Sequence, residues 1–407
     1  MPARDLPACV ILELLDHIRY DDLRTSPEQS RDLQSISLVC KKWAEVAQPL
    51  LFRQVSLSTM PQLARFLTVA RDRPALVSAV RQLRVIVKSS GPNGDITHYE
   101  LPKLLRCCPR LYELDLATTL PTFSDAVLTA LQRLPCRPTA LRCTNLQVEA
   151  SEVPYQLTRI WQDSLRFLVL GGEPFHLIRR PPTDSPPPTG KLKEFRWTSF
   201  DRPSDAVLRW FLGSQPGDLR YLSLDCLPDE PAFHDLLRIH GPHLRSLRLR
   251  DLFGVDAESL AQCTNLEEFS LDRGMDERVL SVLARHKGTT QPATFTHLEF
   301  GVRVKTPESQ ALETAVQRAI QTGRFPDLKT ITLKQWGGTW SLESVLKRWK
   351  ALLPEIEILD GSTKRTPEQR KKSTSKRTSA DAIHLHELSR LDKLPKSTQP
   401  SQLPTHE

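Results

Sequence analysis

Leu219-Arg220-Tyr221-Leu222-Ser223-Leu224 is the stretch on which the fold is decided, because its spacing, apolar-x-x-apolar-x-apolar, recurs along the chain. The same phrase stands at Leu111/Leu114/Leu116, Leu165/Leu168/Leu170, Leu192/Phe195/Trp197, Leu244/Leu247/Leu249, Leu266/Phe269/Leu271, Phe295/Leu298/Phe300 and Leu328/Ile331/Leu333. The starts at 165, 192 and 219 are 27 residues apart, and 111 lies 54 before 165, so a further unit belongs at 138, where Pro138, Leu141 and Cys143 give a degenerate match. Later steps are 25, 22, 29 and 33 residues. A period of this length is that of leucine-rich repeats, each a strand plus a helix.

Helix signals lie between the phrases. Pro61 suits the first turn of a helix over 60–71 that places Leu63, Phe66, Leu67 and Ala70 on one face. Ser124 and Ser204 each precede Asp and an apolar helical pattern, so both are predicted N-caps. Thr306-Pro307 opens a helix that Gly323 ends, and Ser341 opens the last one. Strand-like runs at Val80–Val87 and Pro354–Asp360 bracket the array. One strand and one helix cannot bury their apolar sides alone, whereas stacked units share a continuous core. The expected fold class is therefore α/β, a solenoid of irregular units over 58–360. A doubly wound sheet would need a Gly-rich strand-to-helix turn that is missing.

The N-terminal stretch has a different character. Val10, Leu14, Leu15 and Ile18 recur at helical spacing, as do Ile36, Val39, Cys40, Trp43 and Ala47, which predicts two or three short amphipathic helices. A unit of about 50 residues buries too small a share of its apolar surface to be more than marginal alone. It also carries more large apolar side chains than three short helices can hide. Leu6-Pro7, the run Ile11-Leu12-Glu13-Leu14-Leu15-Asp16-His17-Ile18, Ser37-Leu38-Val39-Cys40 with Trp43, and Leu51 through Leu57 resemble an F-box of the fungal type. With the repeats that follow, residues 1 to 360 resemble the F-box/leucine-rich-repeat family. The resemblance implies a three-helix F-box over 1–57 that docks on a Skp-type adaptor, and through it on a cullin scaffold of an SCF-type ubiquitin ligase. The adaptor face would draw on Leu6, Pro7, Leu12, Leu15, Ile18, Leu38, Val39, Cys40 and Trp43, some of them shared with the unit's own core.

Charge argues against a nucleic-acid footprint. The chain of 407 residues carries +8, but from Gly361 onward ten Lys/Arg face five Asp/Glu, so most of the excess sits in a tail without aromatics. That tail, 361–407, is expected to be disordered and basic, and clusters such as Arg370-Lys371-Lys372 are of the kind that serve nuclear import. Neither a signal peptide nor a spanning helix is predicted, which suggests a cytoplasmic or nuclear protein. Eight cysteines without a CxxC pair read as small buried thiols. Two loops rich in turn formers, 89–98 and 180–190, are expected at the surface.

No phosphate loop, HExxH, GxSxG or Cys/His metal spacing occurs, so no enzyme, cofactor or metal is predicted. His384 and His386 lie in the tail, and His240 with His243 beside Gly241-Pro242 read as a surface pair. Strand side chains alternate, so residues between the inward leucines form an outer face. Arg196, Tyr221, Arg248, Arg250, Glu268 and Asp272 are the candidates there for holding an unknown protein target, in particular an acidic or phosphorylated peptide. The expected function is a non-catalytic substrate receptor. The alternatives are a scaffold that binds the adaptor without ligase activity and a nuclear nucleic-acid binder driven by the tail.

Overall fold

The computed structural model describes residues 7, 10–11, 34–88, 94–145, 151–171, 181, 187–188, 191–199, 201–284, 295–302, 307–335 and 342–361. The basic tail beyond 361, most of the first predicted helix, half of the 89–98 loop and most of the 180–190 loop lie outside these residues.

Among the described residues, twelve strands form one open sheet in chain order, each pairing in parallel with its neighbour in sequence. They are β1 Gln54–Leu57, β2 Gln82–Val87, β3 Glu113–Thr118, β4 Ala140–Asn145, β5 Phe167–Gly171 and β6 Glu194–Thr198. The remaining six are β7 Tyr221–Leu224, β8 Ser246–Leu249, β9 Glu268–Leu271, β10 His297–Val302, β11 Thr330–Gln335 and β12 Glu357–Asp360. Parallel neighbours need a crossover, and most of these are helical. In chain order the α-helices are α1 Lys41–Phe52, α2 Met60–Asp72, α3 Pro74–Val77, α4 Leu101–Arg106, α5 Asp125–Gln132 and α6 Val153–Ile160. They continue with α7 Asp205–Leu212, α8 Glu230–His240, α9 Glu277–Ala284, α10 Pro307–Gln321 and α11 Glu343–Leu352. A short 3-10 helix at Ala257–Gln262 makes the crossing from β8 to β9.

The register turns the repeated phrase into columns. Leu114, Leu141, Leu168, Phe195, Leu222, Leu247, Phe269 and Leu298 stand side by side, one per strand. Two residues on, Leu116, Cys143, Leu170, Trp197, Leu224, Leu249, Leu271 and Phe300 form a second column. Both are buried in a single core that also takes the inward faces of the crossover helices, including Val207, Phe211, Phe233, Leu237, Val316 and Trp349. The degenerate unit at 138 is β4, where the smaller Cys143 fills a leucine position. Burial pushes the pKa of that thiol upward and likewise raises Cys136 to about 11 and Cys263 to about 12.

Entry into β2 through β11 is marked by a doubled hydrogen bond. Arg166 N and Phe167 N both donate to Thr139 O, at 2.8 and 3.1 Å, and Lys193 N with Glu194 N repeat this on Arg166 O. Arg220 N and Tyr221 N follow on Lys193 O. The pattern satisfies the backbone at the bend where chain becomes strand, and it locks the register one unit after another. At Gly171 an added Cβ would lie 1.7 Å from Thr198 Oγ1, so that hydroxyl, which donates to Leu170 O, occupies the space a side chain would need.

Several details depart from the pattern the sequence predicts. Gln54–Leu57, expected to close the helical unit, is the first strand of the sheet and pairs with β2. Ser204 caps α7 by accepting from Val207 N at 3.3 Å, whereas Ser124 stands at the N-cap of α5 with its Oγ buried and unbonded. The N-cap of α11 is Leu342, one residue beyond the predicted serine, which lies outside the described residues. His240 is not a surface residue: it ends α8 at 2 % exposure, because Gly241 lets the chain turn against Gln262 too tightly for any Cβ. Burial lowers its pKa from the ordinary 6.5.

Candidate partner-binding surfaces

The first surface lies ahead of the sheet. Residues 34–37 are helical, the chain breaks at Leu38–Cys40, and α1 starts at Lys41. The predicted apolar stripe from Ile36 to Ala47 is therefore split. Cys40 at the N-cap is extended, at φ −165° and ψ 170°, and makes no side-chain cap hydrogen bond. Ile11 and Ala47 form a small buried nucleus of their own, with Ile36, Trp43, Val46, Leu50 and Leu51 partly buried around it. It is distinct from the core under the sheet.

The break pushes apolar residues outward. Leu38 is 84 % exposed and Val39 51 %, and Pro7 is exposed beside the first described turn. Its carbonyl accepts from Val10 N and Ile11 N at 3.1 Å. Cys40 and Trp43 are half-buried, Trp43 because it leans on the small nucleus. Val10, the first residue of the predicted N-terminal helical spacing, is also exposed, at 36 %. Leu6, Leu12, Leu15 and Ile18 lie outside the described residues. Apolar side chains left in water forgo about 1.5 to 3 kcal/mol each that burial would contribute.

The second surface is the open side of the sheet, opposite the helices. One register column reads Arg84, Asp115, Arg142, Val169, Arg196, Ser223, Arg248, Ser270 and Glu299 from β2 to β10. The arginines pair with carboxylates nearby: Arg84 with Asp115 at 3.7 Å, Arg142 with Glu113 at 3.9 Å, Arg248 with Asp272 at 3.7 Å, and Arg196 closely with Glu194. Arg196 and Arg248 are thus two strands apart, and half-buried Arg250 lies past the end of β8. Asp272 also takes Lys334 Nζ at 2.8 Å, and the same ammonium pairs with Glu299, to which Ser270 donates at 2.8 Å. Burial, the largest cause, works against the Glu299 anion, but Lys334, Arg248 and the Ser270 hydroxyl together outweigh it and hold the pKa below the usual glutamate value. Asp225 shifts the other way, burial being the largest cause.

Tyr221 is a correction. Expected as an exposed contact residue, it is 3 % exposed, and Phe167 and His297 in the same column are also buried. The ladder explains it: strands about 4.8 Å apart place Glu194 and Ser246 directly beside the ring, and neighbours at that spacing leave a broad side chain little solvent. Glu268 is half-buried at the start of β9. Phe253, 83 % exposed just beyond β8, was not anticipated, since nothing in its local spacing separates it from the packed Leu252 and Val255. Its backbone N–H donates to Asp251 Oδ1 at 3.2 Å, and Gly254 at φ 77° completes the turn that presents it.

Among the described residues there is no group of His, Cys, Asp and Glu that could hold a metal ion, and no helix long and apolar enough to cross a membrane. No protein-family model matches the chain, and no curated protein matches it.

Proposed function

We propose that the chain is a non-catalytic substrate-recognition subunit of an SCF-type ubiquitin ligase. Its N-terminal unit is read as an F-box that docks on a Skp-type adaptor and so on a cullin scaffold. The twelve strands and the crossovers between them are read as a leucine-rich-repeat solenoid whose open side receives a protein target. The observation that carries this reading is the exposure of Leu38 and Val39 next to a nucleus too small to cover them. A turn that leaves two large apolar residues in solvent makes physical sense when a second protein covers them. Catalysis would then belong to other subunits, and this chain would supply proximity, which raises effective concentration without a local acid or base. The proposed setting is cytoplasm, nucleus or both, with residues 361–407 as the segment that decides.

Co-purification of the tagged chain with a Skp-type adaptor and a cullin tests the proposal. Capture of both, lost on L38D/V39D with the fold intact, supports it. Adaptor without cullin favours a scaffold that never joins a ligase, and no adaptor at all removes the reading.

A further inference from the structure

The edge at which the strands begin leaves positive charge uncancelled where the open side pairs it. The residue ahead of each strand is tied to the one before: Lys193 N donates to Arg166 O, Arg220 N to Lys193 O and Arg245 N to Arg220 O, each at 2.8 Å. Arg166, Lys193, Arg220 and Arg245 therefore stand in one column ahead of β5 to β8, at the spacing of neighbouring strands. On the open side the arginines meet carboxylates. On this edge Arg166 donates to Leu165 O at 2.8 Å and to Asp163 O at 3.0 Å, and Arg220 to His243 O at 3.2 Å. A backbone carbonyl holds a guanidinium in place without cancelling its charge. Among the described residues neither of these two has a carboxylate partner. Arg245, the exposed member, pairs at 3.3 Å with Glu267, which is next in the column.

Four like charges side by side at about 4.8 Å work against the sheet, so folding alone does not explain the row. Helix C-termini draw cations to such an edge and account for Arg133 and Arg137, which lie just past α5. They do not account for the column, because Arg166 and Arg220 bond turn carbonyls and Lys193 follows a crossover with no described helix. The described turns ahead of β5 to β8, residues 161–166, 191–193, 213–220 and 241–245, hold five Lys/Arg against Asp163 and Asp218, a net of +3. That equals the whole excess of residues 1–360. Neither aspartate forms an ion pair among the described residues.

Three strand steps carry the row over about 14 to 15 Å. An α-helix rises about 1.5 Å per residue, so its side chains at i, i+3, i+7 and i+10 line one face over about 15 Å. A nucleic-acid backbone is charged without interruption and would run from this row onto Glu267, whereas a helix can end its acidic stripe there. We propose that Arg166, Lys193, Arg220 and Arg245 receive an acidic α-helix of a partner protein, laid along the strand-entry edge with one carboxylate per turn. This edge is separate from the open side and from the N-terminal strip, so the assignment stands apart from the ligase reading.

The test uses the full chain and an eighteen-residue alanine–glutamine helix with glutamates at positions 4, 7, 11 and 14. Its control is an isomer with glutamates at 4, 6, 11 and 13, which splits them over two faces. By fluorescence anisotropy at low salt the single-stripe peptide is expected to bind about tenfold more tightly, the size of several exposed charge pairs acting together. R166Q/R220Q is expected to erase that preference and R166K/R220K to keep it, since charge and not the fork is what the row supplies. R245E changes only the exposed member and is expected to erase the preference too, so it decides the matter should R166Q/R220Q lose its circular-dichroism signal. Equal binding of the two peptides, tighter binding of a pentathymidylate than of the single-stripe peptide, an R245E chain that keeps the preference, or a lysine variant that loses it would each overturn the proposal.

Discussion

The segment 34–52 and the twelve-stranded sheet handle apolar side chains in opposite ways. In the sheet, each leucine of the phrase meets the same position of the strands before and after it, and the crossover helices close over both columns. In the segment, Ala47 joins Ile11 in a small buried nucleus that leaves Leu38 and Val39 outside. The difference teaches that one region spends its apolar surface on itself and the other holds some in reserve. Stability measurements and binding measurements should accordingly separate by region.

The largest expected effect is on the sheet side. Phe269→Ala, at 1 % exposure in the shared core, should destabilise the chain by about 3 to 5 kcal/mol, seen as a lowered denaturant midpoint. If the loss were below about 1 kcal/mol, the core would not be the continuous unit described. The second effect reverses the pattern: under the proposed function, L38D/V39D should weaken adaptor capture roughly 30-fold or more, the size of a hot-spot loss. The same variant should leave stability within about 0.5 kcal/mol, as exposed substitutions do. A strongly destabilised double variant would mean that the strip is covered by this chain after all.

A third measurement sharpens the sheet's side of the comparison. His240 has a folded pKa below its unfolded value, so the unfolded chain takes up the proton first as pH falls, and stability should decline from pH 7.5 downward through the ordinary 6.5. His98, lowered by burial as well, acts in the same direction. His240→Gln should flatten the slope between pH 7.5 and 5.5, and an unchanged slope would place the titration elsewhere. The smallest effect contrasts two serines of identical local sequence logic. Ser204→Ala should cost about 1 kcal/mol for a lost cap, while Ser124→Ala should be near neutral because its hydroxyl caps nothing. Equal costs would show that capping does not explain the difference.

Much of this architecture is legible in the phrase itself. Spacing of three and two residues told which side chains face the core, and the 54-residue gap located β4 even where Cys143 replaces leucine. Parity along a strand is a local property, so it survives in sequence. What lies beside a residue on the next strand is not local, and there the reading failed: Tyr221 was assigned to the correct side of the sheet, yet its neighbours seal it. His240 escaped for the same reason, since its cover comes from packing across units. The site at the front was half legible. Helical spacing took in Val39, and Leu38 entered through the F-box resemblance, but the spacing treated 36–47 as one run and could not show the break at Cys40, which has no side-chain oxygen for the orphan amides of α1.

The order of the strands carries one more implication. Because each is bonded to its sequence neighbours and to no others, insertion or deletion of a single strand-and-crossover segment by recombination would leave a continuous sheet. It would nevertheless shift the alternation between Phe167, Arg196, Tyr221 and Arg248 by half a cycle.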